Sequence, residues 1–311
     1  MSDEDDLGAG SLIPSVGFEI VSISTSLVRR GLNLLDEQKP SEDAKITELD
    51  KRANAGEAAA QFELGRAYAS GRGLERDDAQ AASWYRKAAE QGHVEAQFDL
   101  GWLYTYGWGV EEDEAQAALW FRKAAELGHT EAQVYLAHAD EDAAQAVHWF
   151  RKAAEQGDAG AQRNLGLKYA SKLGVDKDNV QAVLWFHKAA QQGDAEAQCN
   201  LGVAHVNGLG VPQDDSQAVQ WFRKAAEQGH AEAQRKLGRM YAFGWGVPQD
   251  YVEAHKWRSL ALRYARQVAD KRRFADVLYG VAKRMSPGEI ADARQRAKEW
   301  IEAFERKKSL G

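Results

Sequence analysis

The 311-residue chain has a single cysteine, Cys199, so it can have neither an intramolecular disulfide framework nor a cysteine-based zinc site, and it suits a reducing compartment. No run approaches the roughly 20 apolar residues that a membrane-spanning helix needs. A secretory signal is missing too. The opening Met1-Ser2-Asp3-Glu4-Asp5-Asp6 is acidic where such a signal is basic, and the later apolar run is broken by Ser22, Ser24 and Ser26. The expected location is the cytoplasm. Catalytic signatures are also scarce: there is no Gly-x-Ser-x-Gly motif, no paired carboxylate and no metal-ligand spacing above the background. His138 and His148 flank Asp140-Glu141-Asp142, the nearest approach to a ligand group, while His93, His129 and His230 repeat one surface position behind a glycine. Neither set carries an expected metal site, and no catalytic residue or cofactor is expected.

What the chain does have is a phrase, W[FY]RKAAEQG in its fullest form, at Trp84–Gly92, Trp120–Gly128, Trp149–Gly157, Trp185–Gly193 (as WFHKAAQQG) and Trp221–Gly229. Its closing glycines recur every 36 residues, except between Gly128 and Gly157, where the step is 29. A period of this size marks a solenoid, in which units too small to bury their own apolar faces stack on their neighbours. The five tryptophans of the phrase then read as core. Net charge is −7, but it is unevenly spread: residues 255–311 carry 15 Lys plus Arg against 7 Asp plus Glu, and residues 1–254 carry 25 against 40. The basic tail is either an electrostatic docking segment or a solvated helical face. The acidic array argues against nucleic acid as partner, because phosphate binding needs a continuous positive face.

One unit, His93 to Gly128, shows the local logic. Ala96, Leu100 and Tyr104 form one helical stripe, and Gly101 leaves room for a neighbouring helix. Gly107-Trp108-Gly109-Val110 then turns the chain, since glycine supplies positive φ angles. Ala117, Trp120, Phe121, Ala124 and Ala125 form a second stripe, with Gly128 just past its end. Gly-x-Gly pairs here are read as turns, because no strand or remainder of a nucleotide-binding fingerprint accompanies them. The third unit, His129 to Gly157, lacks seven residues of this connection, and a local change in superhelix curvature is expected.

These residues resemble the Sel1-like repeat, A-x-A-Q-x-x-L-G-x-x-Y-x-x-G-x-G-V, a short polar loop, then A-x-x-W-[FY]-x-K-A-A-x-x-G. The Leu-Gly-x-x-Tyr phrase stands at Leu64, Leu100, Leu165 and Leu237, and the fifth unit departs with His205 in place of Tyr. The resemblance implies an all-α fold: a right-handed superhelical α-solenoid of about six helix-turn-helix repeats with a C-terminal capping helical segment. It divides the chain into a leader at 1–50, partly flexible or capping, an array at 51–262 with a shortened third repeat, and a basic helical cap at 263–311. It also implies a protein-binding adaptor. The cysteine-rich branch linked to β-lactam chemistry is excluded by the lone Cys199.

Outside the array, residues 17–23 suggest a short strand and 27–35 a short amphipathic helix, with a further helix over 44–55. Ser286-Pro287-Gly288-Glu289 predicts a helix start with a capping box, followed by the stripe Ile290, Ala293, Ala297, Trp300 and Phe304 that would cover the last repeat. If the first helix of each repeat lines the inner face, two rows share it: Phe62, Phe98, Val134, Arg163, Cys199, Arg235, and Arg66, Trp102, His138, Leu167, Val203, Arg239. The candidate partner-binding groove is Phe62, Arg66, Phe98, Trp102, Arg163, Leu167, Arg235 and Arg239, aromatic towards its N-terminal end and basic towards its C-terminal end. The other reading of Phe62 and Phe98 is intramolecular core. A monomeric adaptor holding a protein or peptide is the leading expectation. A dedicated inhibitor or immunity protein that clamps one toxin or enzyme is the alternative.

Overall fold

The computed structural model describes residues 41–264 and 279–310, and every regular element among them is helical. The strand and helix expected within residues 17–35 lie outside the described residues. Helix α1 (Glu42–Asn54) precedes six pairs: α2 (Ala58–Ser70) with α3 (Asp78–Glu90), α4 (Val94–Tyr106) with α5 (Glu114–Glu126), and α6 (Thr130–Ala139) with α7 (Ala143–Glu155). Then come α8 (Ala159–Ser171) with α9 (Asn179–Gln191), α10 (Ala195–Asn207) with α11 (Asp215–Glu227), and α12 (Ala231–Phe243) with α13 (Tyr251–Tyr264). A long α14 (Pro287–Leu310) packs on α13. Each helix packs on its neighbour in the chain, so the pairs stack in a single row and share one continuous core.

Helix ends follow from side-chain chemistry. Asp77, Asp113, Asp142, Asp178 and Asp214 accept first-turn N–H groups of α3, α5, α7, α9 and α11, which have no partner within the helix. Asp158 and Asp194 cap α8 and α10 in the same way, and His93, His129 and His230 cap α4, α6 and α12 through Nδ1. The histidines expected as mere surface repeats are therefore half-buried N-caps, an imidazole lone pair replacing a carboxylate. At the other end of the first helices, Gly71, Gly107, Gly208 and Gly244 adopt left-handed backbone; in the fourth repeat Lys172 takes that conformation at φ 60°.

The second glycine of each connection has a different task. A Cβ on Gly109 would lie 2.0 Å from the Asp78 carbonyl oxygen, and Gly174, Gly210 and Gly246 lie equally close to Ala143, Asn179 and Asp215. The connection of one repeat thus lies flat on the first residue of the preceding repeat's second helix. The shortened third repeat has no such connection: α6 ends after 10 residues and the chain runs through extended Asp140 to the cap at Asp142. Glu114, at the start of α5, is consequently exposed, whereas Asp78, Ala143, Asn179 and Asp215 are half-buried.

The core repeats rung by rung. Leu64, Leu100, Leu136, Leu165, Leu201 and Leu237 are all buried. Beside them, a Cβ on Gly65, Gly101, Gly166 or Gly202 would come within 2.7 Å of the ring of Tyr85, Phe121, Phe186 or Phe222, so glycine is what lets the two helices of a pair close. Trp84, Trp120, Trp149 and Trp185 are buried as expected, each with a lysine one turn on over the ring at 3.7–5.0 Å. Trp221 departs from the expectation and is only half-buried. Its neighbour from the preceding repeat is His187, ring centroids 5.4 Å apart, where the phrase elsewhere has arginine; the short imidazole covers less of the indole than an arginine stem would.

A buried glutamine ladder joins the repeats. Gln61, Gln97, Gln133, Gln162, Gln198 and Gln234 donate from Nε2 to the carbonyls of Ala53, Ala89, Ala125, Ala154, Ala190 and Ala226 at 2.9–3.2 Å. Those carbonyls belong to the last turn of the preceding helix and also accept the N–H of the closing glycine, Gly56, Gly92, Gly128, Gly157, Gly193 or Gly229. A second glutamine then donates to the Oε1 of the first, in the pairs Gln91–Gln61, Gln156–Gln133, Gln192–Gln162 and Gln228–Gln198. The pattern breaks at Leu127, and the buried Oε1 of Gln97, which a glutamine there would reach, has no partner.

The C-terminal helix starts as its sequence indicates. The Ser286 backbone N–H donates to the Glu289 carboxylate, whose own N–H donates to Ser286 Oγ. Ala293 and Ala297 are buried, and Trp300 and Phe304 pack edge-on against Trp257 and Tyr264. This helix covers the last repeat.

Candidate functional site

The first helices of the repeats, α2, α4, α6, α8, α10 and α12, carry both candidate rows, and the structure gives the two rows different surroundings. In the first row, Phe62, Phe98 and Arg163 each reach the N-cap of the next repeat. Phe62 stacks on His93 at 4.5 Å, and Phe98 stacks on His129 at 4.2 Å while touching Phe121 edge-on. Arg163 instead donates to Asp194 at 2.9 Å and lies 3.5 Å from Glu196, and Cys199 is buried in the apolar core. Burial pushes the Cys199 thiol up to about 12, so it is neutral. Arg235 pairs with Glu232 on its own helix. The first row therefore works as a set of clasps between repeats as well as a surface.

The second row faces outward. Arg66, His138, Leu167 and Arg239 are exposed, and Trp102 and Val203 are half-buried. Trp102 anchors an aromatic stack: Tyr106 lies parallel to it at 5.5 Å, Trp108 stacks on Tyr106 at 4.7 Å, and Tyr135 meets Trp102 edge-on from the third repeat. Tyr106 and Trp108 are each about half exposed, at 54% and 50%. Near the N-terminal end, Asp99 beside the Tyr85 hydroxyl is pushed up to about 6, chiefly by burial and against the pull of Arg66. The larger open cavity, about 590 Å³, lies where α1 meets α2 and includes Arg66; a smaller one, about 160 Å³, lies between α10 and α12 and includes Arg235 and Arg239.

Sequence reading missed a pairing that joins the second helix of one repeat to the first helix of the next. Arg86, Arg151 and Arg223 donate to the hydroxyls of Tyr104, Tyr169 and Tyr241, in each case 18 residues further on. His205 was conspicuous as the departure from tyrosine, and WFHK at His187 as the departure from arginine. The two are 18 residues apart, so both positions of the arginine–tyrosine pair are replaced at this junction. The signal was present but needed the pairing to be read.

Among the described residues, no group of three or more His, Cys, Asp or Glu is placed to hold a metal ion, and no helix is long and apolar enough to cross a membrane. His138 contacts Asn164 and packs edge-on against Phe150.

Against known proteins, the Sel1 repeat matches residues 58–93, 94–129, 131–158, 159–194, 195–230 and 231–267. A protective antigen from uropathogenic Escherichia coli with an SLR fold is 35% identical over 87% of this chain, with a TM-score of 0.68; the chain spans 60% of that protein's length. A Sel1 repeat protein from Oxalobacter formigenes is 32% identical over 75% of this chain and 95% of its own, with a TM-score of 0.56. An immunity protein, Pa5087 from Pseudomonas aeruginosa, is 25% identical over 67% of this chain and 81% of its own, at a TM-score of 0.38. A comparison with curated proteins finds no match.

Proposed function

The chain belongs to the Sel1 repeat family, and on that premise we propose that it is a non-catalytic adaptor that holds a partner protein or peptide along the face built by the first helices of its repeats. One observation carries this reading. Two buried rungs keep one residue type in all six repeats, leucine in one and glutamine in the other, yet the outward row reads Arg66, Trp102, His138, Leu167, Val203 and Arg239. Packing holds those two rungs uniform, and a largely exposed row that changes residue at every step is free to answer to something outside the array. Aromatic and arginine side chains on such a row are the types that dominate binding energy at interfaces. In this reading the protein is a cytoplasmic monomer.

The test is affinity purification from the native cells with the wild type beside an Arg66→Ala, Leu167→Ala variant, chosen because both positions are exposed. Loss of a partner from the variant, with unchanged helicity and melting, is the expected result. Identical sets of co-purifying proteins would remove this face from the function.

A further inference from the structure

The sixth repeat concentrates positive charge around a cavity. Three cations of α12, Arg235, Lys236 and Arg239, line it, and the charges of Arg235, Arg239 and Arg284 also bear on Arg258 of α13. Glu232 pairs with Arg235 and with Lys236 at 3.3 Å. Arg258 reports the resulting potential. It occupies the rung where other repeats place Tyr85, Phe121, Phe150, Phe186 or Phe222, its stem filling the space beside Gly238. Burial and then the charges of Arg235, Arg239 and Arg284 pull its guanidinium down to about 10.

The cavity itself is about 160 Å³ and lies between the outward faces of α10 and α12. Its floor is apolar, with Val203, Val206, Phe222 and Met240, and its rim carries Arg235, Lys236 and Arg239. Trp245 forms one wall, and the exposed Arg239 lies 4.9 Å over its ring, which holds the guanidinium at the mouth. A rim of guanidinium groups recognises carboxylate by paired hydrogen bonds, and an apolar floor of this size takes a single aliphatic or aromatic side chain. The partner must therefore supply both at once.

We propose that this cavity is an anchor site for an acidic peptide segment, in which an Asp or Glu engages Arg239 and Lys236 while an adjacent apolar side chain fills the floor. The proposal rests on the adaptor reading above and specifies the chemistry of its partner. A bare polyanion meets the rim but leaves the floor empty, and a neutral apolar peptide meets the floor but offers Arg239 no carboxylate. Charge of this sign is local: residues 1–254 carry an acidic excess, so the site contrasts with its surroundings and favours one end of the array.

The experiment is selection of a displayed random dodecapeptide library on the full chain, counter-selected on Arg239→Glu, a substitution at an exposed position that leaves the core untouched. The expected winners carry Asp or Glu beside Leu, Ile, Phe or Met, and a synthetic winner binds the wild type at least tenfold more tightly than Arg239→Glu. Lys236→Ala should weaken it less, Arg66→Glu at the far end should not weaken it, and raised salt should weaken it. Enrichment of neutral or basic sequences, equal binding to Arg239→Glu, or no enrichment over bare support overturns the proposal. So does full competition by inorganic phosphate or by a single-stranded RNA oligonucleotide, which would indicate a site for small anions or for nucleic acid. If the winners are acidic and apolar yet the Arg66→Ala, Leu167→Ala variant loses no cellular partner, the anchor stands and the extended groove falls; the reverse pattern keeps the groove and removes the anchor.

Discussion

Two junctions of the array solve one problem with opposite chemistry. Between the second and third repeats, Phe98 stacks on the capping His129; between the fourth and fifth, Arg163 pairs with the capping Asp194. The positions are equivalent in the repeat, and both side chains reach the residue that starts the next first helix. The aromatic clasp works by covering an imidazole whose Nδ1 is already accepting the Ala132 N–H. The ionic clasp works by neutralising a carboxylate whose other oxygen accepts the Ala197 N–H. Cap and clasp match at these junctions and at Phe62 with His93, whereas Val134 before the Asp158 cap and Cys199 before the His230 cap do not follow the rule.

The largest expected effect comes from removing each clasp in turn. Phe98→Ala should cost about 2–4 kcal/mol of unfolding free energy, as truncation of a well-packed aromatic does, and should be indifferent to salt. Arg163→Ala should cost about 1–2 kcal/mol, since Arg163 and Asp194 are mostly withdrawn from water at 25% and 13% side-chain exposure, and 1 M NaCl should shrink that loss. Denaturant melts of both variants at low and high salt check this, and equal salt dependence would mean the two junctions do not differ in kind.

Exchanging the chemistry is the next step down. Phe98→Arg and His129→Asp should each destabilise alone, while the double variant should lose at least about 1 kcal/mol less than the sum of the two, because Glu131 stands where Glu196 assists Arg163. A double-mutant cycle measures the coupling, and additive losses would show that the clasp depends on more than the pair. The smallest effect should be a gain. Leu127→Gln replaces an exposed leucine and supplies the missing donor to Gln97 Oε1, making this junction like those at Gln156, Gln192 and Gln228. It should stabilise by about 1 kcal/mol, seen as a higher melting temperature, and no gain would place a water at Gln97 instead.

Much of this protein could be read from its residues because the array is written in local rules repeated six times. Glycine in the full-length connections and Ser286 with Glu289 at the last helix act within one turn of the chain, so spacing located the helices. Leu100 and Gly101 also declared a close helix pair, since periodicity shows which side chains share a face. The candidate groove was less accessible. Phe98 and Trp102 are both aromatic, both on α4 and four residues apart, and nothing local separates them. The tertiary structure stacks Phe98 on a residue 31 positions away and leaves Trp102 to lead an aromatic stack towards solvent.

The sequence by itself determined the repeat, its helices, their caps and the position of the shortened unit. It did so because hydrogen bonds at helix ends and the rise per turn are short-range. Only the tertiary structure decided which side chains clasp the next repeat and which face outward, that arginine and tyrosine 18 residues apart pair across the repeats, and that three cations of α12 share a cavity with side chains of α10. Those outcomes depend on contacts 18 or more residues apart, and burial and field are properties of the assembled stack rather than of any segment within it.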